Sequence, residues 1–174
     1  MKFNFPIIII DEDFRSDNSS GLGIRVLAKC IEKEDFEVIG VTSYIDLSSF
    51  AQQQSRASAF ILAIDDEEFI EENPKAIESL SKFVKEIRYR NEEIPIFLHG
   101  ETRTSRHIPN SILKELNGFI HMYEDTPEFV AKYIVREARN YLESLAPPFF
   151  KALTNYAMDG SYSWHCPGHS GGVA

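Results

Sequence analysis

Acidic residues in this chain collect directly behind short apolar runs. Asp11, Glu12 and Asp13 follow Phe5 to Ile10, Asp65 and Asp66 follow Ala59 to Ile64, and Glu124 and Asp125 follow Phe119 to Tyr123. A fourth run, Pro95 to Leu98, leads into His99, Gly100, Glu101 and Thr102. Clustered carboxylates are hard oxygen donors, the ligand type that Mg²⁺ takes. The same residues also make good N-caps and a solvated rim, so their types alone fix no role. Softer ligands stand near the end of the chain, where His165, Cys166 and His169 are zinc-ligand types. A closed zinc site needs a fourth ligand, which the neighbouring residues do not supply.

Three further stretches imitate motifs without their context. GLGIRV, Gly21 to Val26, has Val where a dinucleotide loop needs its third Gly, and it stands about ten residues beyond the preceding run. SLSK, Ser79 to Lys82, matches the Ser-x-x-Lys of Ser-Lys hydrolases but lies inside an apolar stripe of helical period. Asn18-Ser-Ser matches a glycosylation acceptor, which carries no weight in an intracellular protein. His99, His107 and His121 are scattered and read as ordinary histidines.

These groups act together only if the chain brings them together. The apolar runs, with a further one at Glu37 to Thr42, read as five strands. Between them the spacing predicts helices over Gly21 to Glu34, Asp46 to Arg56, Pro74 to Arg90, Ser111 to Asn117 and Pro127 to Leu145. In the third of these, Ile77, Leu80, Phe83, Val84 and Ile87 form one apolar stripe with Lys and Glu opposite. Alternating strands and helices imply a parallel sheet with helices on both faces. Right-handed crossovers leave the doubly wound order 2-1-3-4-5, a flavodoxin-like or receiver-like (βα)5 fold. In such sheets ligands sit beyond the carboxyl ends of the strands, where the acidic clusters fall.

The 174 residues suffice for one domain with a core. Two Cys make no disulfide framework and fit a reducing compartment. The start MKFNFPIIIIDED runs from apolar straight into acid with no small-residue cleavage site, which is a strand rather than a signal peptide. No apolar stretch approaches a membrane-spanning length. A net charge of −9 without a basic cluster argues against nucleic acid as a partner. The expected location is the cytoplasm.

The acidic strand ends resemble those of a two-component receiver domain. That resemblance implies Asp11 and Glu12 as the Mg²⁺ pair, Asp65 as phosphoacceptor and Thr102 as the hydroxyl after strand four. The departure is at strand five, where a receiver places a Lys and this chain has Glu124 and Asp125, which repel a phosphate. A flavin carrier fares worse, because DEDFRSD presents acid where the flavin phosphate belongs.

The end of the chain points elsewhere. PPFFKAL, Pro147 to Leu153, followed by YSWHCPGHSGGVA, Tyr162 to Ala174, closely resembles the segment joining the N-terminal and catalytic domains of bacterial ornithine/lysine/arginine decarboxylases. These are pyridoxal-phosphate enzymes of the aspartate-aminotransferase fold type. Trp164, His165, Pro167, Gly168, His169, Gly171 and Gly172 carry the linker motif. The family's N-terminal "wing" is receiver-like in fold without receiver chemistry, and YEDTPEF, Tyr123 to Phe129, is a strand-five exit of the kind seen there. The resemblance implies a wing over residues 1–128, then a last helix and truncated linker over 129–174 leading to a catalytic domain outside the chain. It implies no catalytic, cofactor-binding or metal residue in this segment, since the family's cofactor lysine follows a His and no His-Lys pair occurs here. The implied role is accessory, through contact with the catalytic domain and with other wings, in an enzyme converting lysine, arginine or ornithine to the amine and CO₂. The alternative is a free-standing signalling module with Asp65 as phosphoacceptor.

Overall fold

The computed structural model describes residues 3–43, 56–64 and 66–145. Five strands, β1 (Phe3–Ile10), β2 (Phe36–Val41), β3 (Ala59–Ala63), β4 (Ile96–Gly100) and β5 (Gly118–His121), form one sheet. All pairs are parallel and the order is β2-β1-β3-β4-β5, as the alternation predicts. The interior place of β1, between β2 and β3, explains its run of four Ile. With neighbours on both edges and cover on both faces, Ile7, Ile8, Ile9 and Ile10 are all buried, so β1 needs no polar alternation.

Helix α1 (Ser19–Lys33) begins at Asn18, whose side-chain oxygen accepts the Gly21 N–H at 2.8 Å. It packs beside the last helix, α5 (Pro127–Leu145). Val130, Ala131, Ile134, Val135, Ala138 and Leu142 of α5 share one core with the four Ile of β1. The helix expected to belong with the linker from residue 129 onward therefore packs into the body of the domain.

On the way from β3 to β4 the chain forms α2 (Glu67–Glu72) and α3 (Lys75–Arg90). The short α2 is absent from the sequence expectation, because EEFIEE carries no apolar stripe. It starts because Asp66 accepts the Phe69 N–H at 2.8 Å, and Ile70 anchors it. After β4 come a 3-10 turn (Thr104–His107) and α4 (Asn110–Leu113), shorter than the predicted Ser111 to Asn117. Asn117 has left the helix to extend the sheet: its backbone N–H donates to Ile96 O at 2.7 Å and its Oδ1 accepts the Ile96 N–H at 3.0 Å. The helix predicted over Asp46 to Arg56 lies, apart from Arg56, outside the described residues, as do Asp65 and everything from residue 146 onward. Among the described residues no helix is long and apolar enough to cross a membrane.

Candidate functional site

The sheet register places the acidic strand ends. Ile10 pairs with Leu62, and Leu62 with Leu98. One residue on, Asp11, Ala63 and His99 form the next rung, and by strand alternation they face the same side. The β3 residue level with Asp11 is thus Ala63, and Asp65, two positions further, lies outside the described residues.

Asp11 is buried, and its Oδ1 accepts the Asp13 N–H at 2.8 Å. Burial raises its pKa above the ordinary 3.8, the Asp13 N–H opposes this, and the charges of Asp13 and Glu12 add to the rise. The loop after β1 is braced from within. Asp13 Oδ1 accepts from Asn18 Nδ2 at 2.9 Å, and Arg25 Nη1 donates to the carbonyls of Phe14 and Ser16 at 2.8 and 2.6 Å. Gly21 lies so close to this loop that a Cβ there would collide with the carbonyl oxygens of Asp13 and Ser16. Of the expected metal pair, Asp11 is buried and held by its own loop and Glu12 is exposed, and both line the cleft at the carboxyl end of the sheet.

Thr102 is also committed. Its hydroxyl donates to Glu124 Oε1 at 2.6 Å and lies 3.0 Å from His121 Nδ1. Asp125 Oδ2 accepts the His121 N–H at 2.8 Å. The hydroxyl that would meet a phosphoryl group is thus tied to the carboxylate that would repel one.

Of the scattered histidines, His99 is buried and His107 is partly exposed and paired. His99 is 5% exposed, lines the cleft at the carboxyl end of the sheet beside Asp11, and its ring makes no hydrogen bond among the described residues. Burial pushes its pKa down to about 4, so the imidazole is neutral near pH 7. His107 Nε2 sits 3.0 Å from Glu67 Oε1. A sequence signal for the second pair exists, since Glu67 and Glu71 are one helical turn apart, but nothing in the chain order links them to His107. Trp164, His165, Pro167, Gly168, His169, Gly171 and Gly172 lie outside the described residues.

The donor set at the strand ends does not suit pyridoxal phosphate. Asp11, Glu12, Asp13, Asp66 and Glu101 line the cleft and would repel the cofactor's phosphate. The fold defines a receiver-like domain in which Thr102 is bound to Glu124 and Asp11 to the Asp13 N–H.

Comparison with known proteins gives the narrower assignment. Residues 19–141 match the family described as "Orn/Lys/Arg decarboxylase, N-terminal domain", and the chain belongs to that family. The lysine decarboxylase LdcA of Pseudomonas aeruginosa is 33% identical over 173 residues, 98% of this chain and 23% of that protein. A biodegradative arginine decarboxylase of Escherichia coli is 28% identical over 96% of this chain and 22% of its own length. The chain thus spans less than a quarter of these relatives. The solved structure of lysine decarboxylase A from Pseudomonas aeruginosa superposes with a TM-score of 0.74 at 31% identity, over 99% of this chain and 23% of that one. A response-regulator receiver domain from Clostridium thermocellum, at 12% identity and a TM-score of 0.55, covers 78% of this chain and 94% of its own, and shows the shared fold alone.

Proposed function

We propose that this chain serves as the accessory and assembly domain at the N-terminal end of a pyridoxal-phosphate decarboxylase, a carboxy-lyase acting on lysine, arginine or ornithine in the cytoplasm. One observation carries the reading: a match running nearly the whole length of this chain occupies only 22–23% of the relatives. A domain with this share of such an enzyme works by contact. Its proposed partners are its own catalytic domain and other copies of itself. Pyridoxal phosphate, when bound in the catalytic domain, supplies the electron sink for the carbanion left by CO₂. The acidic, braced strand ends described above take no part in that step.

The test has two arms. The 174-residue chain, supplied with pyridoxal phosphate and each basic amino acid in turn, is expected to release no CO₂. The protein purified from its source cell is expected to have several times the mass of this chain and to decarboxylate one of the three. Turnover by the 174-residue chain alone, or a source protein inert toward all three, overturns the proposal.

A further inference from the structure

We propose that Glu67, Glu71 and His107 form a binding site for a divalent transition-metal ion of the zinc class. Helix α2 sets Glu67 and Glu71 one turn apart on the same face. The 3-10 turn behind β4 packs against α2 and brings in His107. His107 Nε2 lies 3.0 Å from Glu67 Oε1 and 3.9 Å from Glu71 Oε1, and one ligand atom from each residue falls within 4.8 Å of the other two.

Nε2 holds one proton or one lone pair, so the bond to Glu67 satisfies it. Glu71 Oε1, 3.9 Å from the same nitrogen, lies beyond hydrogen-bond distance and keeps its lone pairs free for a further ligand contact. Other charge does not favour gathering the acids. Asp66, Glu68 and Glu72 crowd the same short segment, the last turn of α2 has no basic residue, and among the described residues no Lys or Arg pairs with Glu67 or Glu71. A cation between the three ligand atoms relieves that repulsion. One imidazole nitrogen with two carboxylates selects zinc, cobalt or nickel over Mg²⁺ or Ca²⁺, which prefer oxygen alone. Three protein ligands leave a coordination position open to water or a further ligand. Bound there, the ion ties the loop after β3 to the loop after β4.

The test uses the full chain freed of metal, in wild type and in a His165→Ser, Cys166→Ser, His169→Ser variant that removes the other cluster of zinc-ligand types. Co²⁺ is added and its visible absorption followed, then Zn²⁺ and Mg²⁺ are titrated by calorimetry. Uptake of one Co²⁺ by the triple variant, displaced by Zn²⁺ and not by Mg²⁺, is expected. Glu71→Gln should weaken it about tenfold or more, and His107→Gln should abolish the absorption. Both side chains are partly or largely exposed, so the variants should keep the wild-type circular dichroism. Zn²⁺ should raise the melting temperature of the wild type and not of His107→Gln. No uptake by the triple variant, or equal uptake with and without His107, overturns the proposal.

Discussion

His99 and Asp11 share a rung of the sheet and oppose each other in pH response. The unfolded chain protonates its histidine near the ordinary 6.5, whereas native His99 resists until about 4. Between those values the unfolded state binds the extra proton, so stability falls as pH drops through the window and levels off below it. The full effect is about 3 kcal/mol. Urea unfolding from neutral to acidic pH should show this slope, and His99→Gln should lose it. Asp11 has the opposite sign. Its native carboxyl holds its proton above the ordinary 3.8, so its contribution is present below that value and is lost as pH rises through the native pKa. Asp11→Asn, which can still accept the Asp13 N–H, should melt higher than wild type near neutrality and equally once both states are protonated. A lower melting temperature at neutrality would show that the ionised carboxylate is wanted there. Neither shift is legible in the sequence, because both arise from the burial of strand ends by elements far away in the chain.

At the scale of elements, the amino end of the sheet is held by Arg88 of α3. Its guanidinium donates to Ile94 O at 2.7 Å and to Glu115 O at 2.5 Å, and its Nε lies 3.4 Å from the Glu115 carboxylate. Arg88→Met fills part of the space but leaves those carbonyls without a donor, and should cost about 2–3 kcal/mol. A shifted urea midpoint at unchanged slope is the expected readout. Gly21→Ala should cost about 1–3 kcal/mol or more, because the atoms a Cβ would meet are backbone oxygens of the loop after β1 and cannot swing aside. The long helices α1, α3 and α5 were legible from periodicity, since each buries a stripe. Helix α2 was not, because five acids and two apolar residues between Asp66 and Glu72 give no period. Its existence depends on a cap and on docking, which are matters of neighbours.

For the whole molecule, a net charge of −9 at neutral pH opposes contact between copies, and the repulsion eases as falling pH makes the net charge less negative. If copies assemble through this domain as proposed, light scattering of the full-length protein should show that assembly gaining as pH falls from about 8 to 5. An assembly that shrinks toward acid would sink this expectation. The gain has a floor, since the His99 contribution weakens the domain itself over the lower part of the same range. The two effects separate in His99→Gln, which should retain assembly and lose the acid-induced drop in stability.

The sequence by itself determined the strand order and the family. Apolar runs alternating with striped helices admit few right-handed windings, and the segment from Pro147 to Ala174 carries a motif in its residue types alone. It also located the carboxylates that directly follow the strands. Only the tertiary structure decided what those groups do. Thr102 is bound to Glu124, and His107 meets Glu67 across two loops. Such pairings depend on distances between strand ends, which register and helix docking set and which no local pattern in the chain records.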